Sequence, residues 1–151
     1  MKLKNLIPDR EYQLSIYGTR NKQKSDPKSL SFRTIPLLAP PTDFTVNYTT
    51  PYGGLLTWKM EHLEHIDGFE VFIYNKDIRA QHPTGSPTPV KIIHMPNNQT
   101  HLLLTELHWD TKYRVVISAV RGKDTTDKLE ISFKTDIFVE PVFTCNVKGR
   151  V

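Results

Sequence analysis

Residues 104–135 read LTELHWDTKYRVVISAVRGKDTTDKLEISFKT, and residues 3–34 read LKNLIPDREYQLSIYGTRNKQKSDPKSLSFRT. The two stretches align without a gap at an offset of 101 residues, and 11 of the 32 aligned positions carry the same residue. Self-similarity at a fixed spacing is typical of a repeated structural unit. The chain is therefore predicted to contain the end of one unit in residues 1–34, followed by a whole second unit in residues 38–135.

Within the second unit, short apolar runs alternate with polar residues and are separated by stretches rich in Gly, Pro, Asn, Asp and Thr. Alternation with a period of two is typical of half-buried strands, whereas no window shows an apolar stripe at helical spacing. The fold class predicted is an all-β sandwich. The inward positions of its strands are Leu56, Trp58, Phe69, Val71, Ile73, Leu102, Leu104, Leu107, Tyr113, Val115, Ile117, Ala119, Leu129, Ile131 and Phe133.

Three features together resemble the fibronectin type III family. One is Trp58 in LLTWK, at the place of strand B, and another is GFEVFI at the place of strand C. The third is a leucine six residues before a tyrosine that opens a long alternating strand. This spacing occurs twice, from Leu6 to Tyr12 and from Leu107 to Tyr113, and these four residues are predicted to belong to the structural core together with Trp58.

The resemblance implies an immunoglobulin-like β-sandwich in which each tyrosine hydroxyl bonds to the backbone a few residues upstream. It makes residues 1–34 strands F and G of one module, residues 38–135 a complete module, and residues 136–151 a linker with the first strand of a next module. The proline that the family carries in the tyrosine turn is present as Pro8 and replaced by Trp109 in the second unit. LLTWK and the closing strands look most like tenascin modules.

Composition excludes several classes of protein. With 38% hydrophobic and 24% charged residues, the 151-residue chain is typical of a globular protein, and no apolar run is long enough to cross a membrane. Its start does not resemble a signal peptide. A single cysteine, Cys145, excludes an internal disulfide and a cysteine-pair zinc site. Because there is no phosphate-binding glycine loop and no nucleophile motif, we predict no enzyme activity and no cofactor.

Two histidines in KMEHLEHID, His62 and His65, could be interpreted as a metal pair, with Glu61 and Glu64 beside them. Zinc sites usually need three or four convergent ligands on a fixed scaffold. This stretch joins strands B and C, so the favoured interpretation is a solvated, mildly acidic loop.

The net charge of +4 lies in the opening segment, where residues 1–34 hold eight Lys and Arg against three Asp and Glu. The F–G loop of this unit carries a basic cluster that could attract a sulfated glycosaminoglycan or an acidic partner. The favoured interpretation is a lysine-rich loop that aids solubility. Nucleic acid is not expected, because few aromatic residues accompany the cluster. The cluster consists of Arg20, Lys22, Lys24 and Lys28.

The loop of the second unit, RGKDTTDK, resembles an integrin-binding Arg-Gly-Asp motif, but Lys123 is inserted in it. The insertion changes the spacing between the basic and acidic groups, so no such site is predicted. Two Asn-X-Thr triplets permit N-glycosylation, at Asn47 and Asn98. Asn98 lies in a predicted surface turn and is the better acceptor, whereas Asn47 is placed at the end of strand A.

The function predicted is a non-enzymatic, extracellular array of modules that acts in adhesion or matrix organisation as a spacer and binding surface. Its expected partners are matrix or cell-surface proteins and sulfated glycosaminoglycan. Two alternatives use the same module. One is an intracellular structural scaffold, and the other is the ectodomain of a signalling receptor such as a receptor phosphatase.

Overall fold

The computed structural model describes residues 2–77 and 88–140 of the chain. These residues contain twelve strands and one short 3-10 turn, Leu63–His65. The strands are β1 (Glu11–Ile16), β2 (Thr19–Arg20), β3 (Gln23–Lys24), β4 (Lys28–Arg33), β5 (Thr42–Thr50), β6 (Gly53–Lys59), β7 (Gly68–Asn75), β8 (Lys91–Pro96), β9 (His101–Leu104), β10 (Lys112–Arg121), β11 (Asp124–Thr125) and β12 (Leu129–Lys134).

Strands β5 to β12 form a sandwich of two antiparallel sheets. The first sheet has the order β5-β6-β9, and in the second β10 lies at the centre, between β7 on one side and β11 and β12 on the other, with β8 beyond β7. The alternating apolar residues of both sheets meet between them, which confirms the all-β sandwich. The buried cluster consists of Leu56, Trp58, Ile66, Phe69, Val71, Ile73, Met95, Leu104, Leu107, Tyr113, Val115, Ile117 and Ala119.

Trp58 lies at the centre of the contact between the two sheets. Its ring packs edge-to-face against Phe69 of the opposite sheet, at 5.3 Å between centroids, and against Phe44 of its own sheet, at 6.2 Å. Aromatic pairs at this separation and angle stabilise by about 1 kcal/mol beyond the area that they bury. The indole therefore joins the first sheet to the second.

Residues ahead of the sandwich form a separate antiparallel hairpin, in which β1 pairs with β4 and β2 with β3. One face of β1–β4 carries Tyr12, Leu14, Leu30 and Phe32. No sheet among the described residues covers this face, because β5, β6 and β9 pack on the sandwich instead. Tyr12 and Leu6, which the sequence placed in a core, are consequently only half-buried.

The tip of the hairpin is a two-residue turn at Asn21 and Lys22, both with positive φ, 49° and 66°. Positive φ at both central residues is the backbone of the tight hairpin turn whose twist matches that of its strands. The corresponding position in the second unit is Gly122, with φ 59°. Asparagine and glycine are the residues that adopt this conformation at least cost.

The structure differs from the sequence interpretation in two elements. Strand β8 (Lys91–Pro96) was not expected, because its two adjacent isoleucines hide the alternation that sends Ile93 and Met95 inward. Asn47 lies in the interior of β5 rather than at its end, since β5 continues to Thr50 by pairing with β6. Residues 78–87 and 141–151 lie outside the described residues. They include Cys145 and most of the stretch that resembles a further first strand.

Candidate functional site

Both tyrosine turns have the same geometry. The hydroxyl oxygen of Tyr12 accepts a hydrogen bond from the backbone N–H of Ile7 at 2.8 Å, and that of Tyr113 accepts one from the N–H of His108 at 2.9 Å. The turn in the second unit therefore forms with Trp109 in place of proline. The hydroxyl bond, rather than the proline, is common to the two turns.

A second set of hydrogen bonds repeats at the same offset. The hydroxyl of Ser25 accepts from the N–H of Gly18 at 2.7 Å, as that of Thr126 accepts from Ala119 at 2.9 Å. An ion pair closes the other end of each hairpin, from Arg33 to Asp9 at 2.8 Å and from Lys134 to Asp110 at 2.7 Å. The two hairpins are thus equivalent in register and in side-chain bonding.

The basic cluster is divided between the two faces of this hairpin. Thr19 pairs with Lys24, and Arg20 pairs with Gln23, so Lys24 and Arg20 point to opposite sides of the ribbon. The ammonium of Lys24 lies 4.9 Å from the centre of the Tyr17 ring, at a distance typical of a cation–π contact. Lys22 lies in the exposed turn between the two strands. All four cations are exposed, and Lys22 lies at the tip of the hairpin with Arg20 and Lys24 on opposite faces behind it.

Lys28 lies apart from the other basic residues. It pairs with Ile16 on the apolar face of β1–β4, where the second unit has Leu129, a residue that packs against the core. A lysine at the margin of such a face extends its charged end to solvent while its stem lies on apolar surface. Lys28 is consequently not a neighbour of the turn that carries Lys22.

Arg20 corresponds to Arg121 in the second unit, and the side chain of Arg121 donates hydrogen bonds to the backbone. It continues the inward series of β10, and its guanidinium donates to the carbonyls of His65 at 2.7 Å and Pro36 at 3.0 Å. The sequence reasoning assigned no role to Arg121. The identity of Arg20 and Arg121 in the repeat was the signal that could have indicated one.

The two glycosylation triplets lie in different surroundings. Asn98 is exposed in the turn between β8 and β9, as predicted from its sequence. Asn47 is also exposed, but its side-chain oxygen accepts a hydrogen bond from the Thr57 hydroxyl at 2.9 Å, and the hydroxyl of Thr49 donates to Asp136 at 2.6 Å. The triplet at Asn47 is therefore bonded within the sandwich, whereas the triplet at Asn98 projects from it.

The histidine pair lies in the loop between β6 and β7, with ring centroids 6.2 Å apart. The carboxylate of Glu64 contacts both rings, at 3.5 Å from His62 and 3.6 Å from His65. The backbone N–H of Glu64 itself, and then His62, hold the pKa of this carboxyl below its usual range. Within residues 2–77 and 88–140, no group of three or more metal-binding side chains comes together.

The sandwich matches a family model described as "Fibronectin type III domain" over residues 39–132. The chain belongs to the fibronectin type III family. In the family's nomenclature β5, β6 and β9 are strands A, B and E, and β7, β8, β10 and β12 are strands C, C′, F and G. Modules of this family are generally structural and non-catalytic.

Solved structures with the same fold include single and tandem modules. A two-domain segment of chicken tenascin has a TM-score of 0.55 and 19% identity, covering 83% of this chain and 65% of that chain. The FN1–FN3 domains of chicken CNTN1 give 0.53 and 15%, covering 90% and 46%. The fn3 domain of the human collagen alpha-1(XX) chain gives 0.55 and 20%, covering 70% and 91%. No curated protein matches the chain.

In the portion that the structure describes, no helix is both long enough and apolar enough to span a membrane.

Proposed function

We propose that this chain is part of a non-enzymatic array of fibronectin type III modules that acts as a spacer and as a binding surface in adhesion or matrix organisation. The observation that carries the proposal is the duplicated hairpin. Residues 1–34 share the register, the tyrosine bond and the terminal ion pair of strands F and G of residues 38–135. Residues 136–151 are assigned to the linker and first strand of a further module.

The proposed contact with partners is the turn of the first hairpin. Lys22 and Lys24 are exposed there, and the net positive charge of residues 1–34 exceeds that of the whole chain. A sulfated glycosaminoglycan carries dense negative charge and is attracted by such a turn over a range that salt screens. Arg20 and Lys28 are assigned lesser parts, because Arg20 occupies the other face of the ribbon and Lys28 lies on the apolar face.

Heparin chromatography of the 151-residue chain tests this partner. We expect weak retention that decreases as salt rises and is lost when Lys22 and Lys24 are both replaced by Ala. The matched control is Lys4→Ala combined with Lys123→Ala, which removes the same charge from exposed positions outside the cluster. Equal loss of retention in both double variants would mean that heparin binding depends on net charge alone. Retention unchanged by Lys22→Ala and Lys24→Ala would refute the site.

We also propose that the array is extracellular. The exposed Asn98 supports this, since its triplet lies in a turn that an oligosaccharide can reach. Expression behind a signal peptide should give a product whose mass falls after glycan removal, with most of the shift lost in Asn98→Gln and little in Asn47→Gln. A secreted product without glycan would favour the intracellular scaffold over the matrix or receptor assignment.

A further inference from the structure

The segment that enters the sandwich packs on the core through Leu38, and its backbone is bonded to the sandwich by the Arg121 side chain. Arg121, partly buried at the end of β10, donates from Nη1 to the carbonyl of Pro36 and from Nε to the carbonyl of His65. Pro36 is itself buried, although Ile35 and Leu37 on either side are exposed. The guanidinium therefore joins the linker to the loop between β6 and β7.

That loop is also held to β10 without Arg121. The N–H of Gly122 donates to the Asp67 carboxylate at 2.6 Å, and the N–H of Asp67 donates to the carbonyl of Val120 at 2.8 Å. Because these bonds fix the loop, the carbonyl of His65 is already in place to accept from Arg121. The linker carbonyl is the partner whose position depends on the arginine.

The chemistry of the side chain suits two separate carbonyls. A guanidinium is planar and presents several N–H donors in a fixed fork, whereas an ammonium is a compact charge on a flexible stem. Two donors of Arg121 reach two carbonyls that are 29 residues apart in the chain, Pro36 and His65. A lysine at this position would keep the charge without fixing both acceptors at once.

The β1–β4 hairpin lies next to the loop between β6 and β7. A cleft between them is lined by Asp9, Arg33 and Thr34 from the hairpin and by His62, Glu64 and His65 from the loop. The hydrogen bond from Arg33 is the main reason that the pKa of the Asp9 carboxyl is lowered, and the two histidines add to the effect. The tyrosine turn of the first unit and the β6–β7 loop of the second are thus near enough to interact electrostatically.

We propose that Arg121 and the loop at residues 62–65 form an ordered joint surface, which takes the tyrosine turn and the end of the last strand of a preceding fibronectin type III unit. Arg121 is the positioning residue, since it fixes the direction in which the linker leaves. The partner surface is the Asp9–Arg33 ion pair of the preceding unit. This inference rests on the proposed module array.

Distance measurements between two spin labels test the joint. In a Cys145→Ser background, labels at Gln13→Cys on the hairpin and Leu103→Cys on the sandwich report their separation in the 151-residue chain. With the labelled chain diluted in unlabelled chain, we expect a main narrow component from molecules whose hairpin is folded, and its width should grow about twofold or more in Arg121→Ala and in Arg121→Lys. The control is Arg114→Ala, because Arg114 bonds Glu130 and stacks on Tyr74 away from the linker.

Thermal unfolding of each variant shows whether the sandwich itself is intact, and amide exchange at Leu37 and Leu38 reports the linker alone. A distribution in Arg121→Ala as narrow as that of the parent, with a folded sandwich, would overturn the proposal, as would a broad distribution in the parent. Either result leaves the heparin test unaffected, because the lysine turn is at the opposite end of the hairpin. Loss of heparin binding alone would likewise leave the joint standing.

Discussion

The β1–β4 hairpin and the β10–β12 pair have the same structure, but only β10–β12 is covered by a core. Their registers agree residue for residue at an offset of 101 positions, and the Tyr12–Phe32 and Tyr113–Phe133 rings stack at 5.9 and 6.0 Å. Only the surroundings differ, since β7 and the β5-β6-β9 sheet cover one copy and not the other. Turn chemistry and cross-strand bonding are therefore enough to specify the register, whereas burial must supply the stability.

The largest expected difference between the copies is in amide exchange. Amides of β10 lie in the core sheet and should exchange only through global unfolding, which costs about 5 kcal/mol or more in a typical domain. Amides of β1 belong to an isolated two-stranded hairpin, which is marginally stable in water. Exchange measured by NMR should be slower at Ile117 than at Ile16 by roughly 10³-fold or more.

Removing the hairpin sharpens the same comparison. A chain of residues 36–136 should unfold cooperatively and remain monomeric, while the 151-residue chain should tend to self-associate through its uncovered face. Denaturant unfolding and sedimentation would measure the two properties. If deletion of residues 1–34 instead abolished the folded state, the boundary of the repeat would not be a module boundary.

A pair of equivalent isoleucines gives the next largest effect. Ile117 is 0% exposed in the core and Ile16 is 59% exposed on the hairpin. Ile117→Ala should lower the free energy of unfolding by about 2–5 kcal/mol because it leaves a cavity, and Ile16→Ala should change it by less than about 0.5 kcal/mol. Equal effects in urea unfolding would mean that the hairpin is covered in solution.

The sequence predicted the sandwich because its strands alternate cleanly, and it predicted the repeat because turn residues keep their spacing. It missed β8, an edge strand in which Ile92 and Ile93 are adjacent but lie on opposite faces, so that apolar and polar residues do not alternate along the sequence. Edge strands bury less and so carry a weaker pattern.

The candidate site was less predictable than the fold. Four nearby cations were read as one cluster, but cross-strand pairing sends Arg20 and Lys24 to opposite faces. The contact of Arg121 with Pro36 joins residues 85 apart in sequence through a backbone carbonyl. Every residue has a backbone carbonyl, so residue identity does not show which carbonyl accepts, and only the structure locates it.

The tyrosine turns should differ by a smaller amount. Tyr113→Phe removes the hydrogen bond to His108 in a covered module and should cost about 1 kcal/mol. Tyr12→Phe removes the equivalent bond to Ile7, but it should leave unfolding of the sandwich unchanged. Thermal unfolding of both variants is the measurement. A loss of stability with Tyr12→Phe would show that the hairpin supports the sandwich, against the module boundary proposed here.

The smallest expected effect comes from the ion pair that closes the uncovered hairpin. The hydrogen bond from Arg33 lowers the pKa of the Asp9 carboxyl, so the ionised pair stabilises the hairpin above the pKa of Asp9 in the unfolded chain. That contribution should disappear as the pH falls through the lowered pKa. Backbone chemical shifts of β1 and β4, followed below about pH 5 to stay under the ordinary pKa of histidine, should move toward unfolded values with a midpoint below that of an ordinary aspartate.

Asp9→Asn should abolish this acid transition, and asparagine tolerates the positive φ of 51° at this position. Asp110→Asn is the matched control in the covered copy. If the acid transition persisted in Asp9→Asn, another carboxyl would be responsible for it. The Asp9–Arg33 ion pair would then not be one of the interactions that stabilise the hairpin.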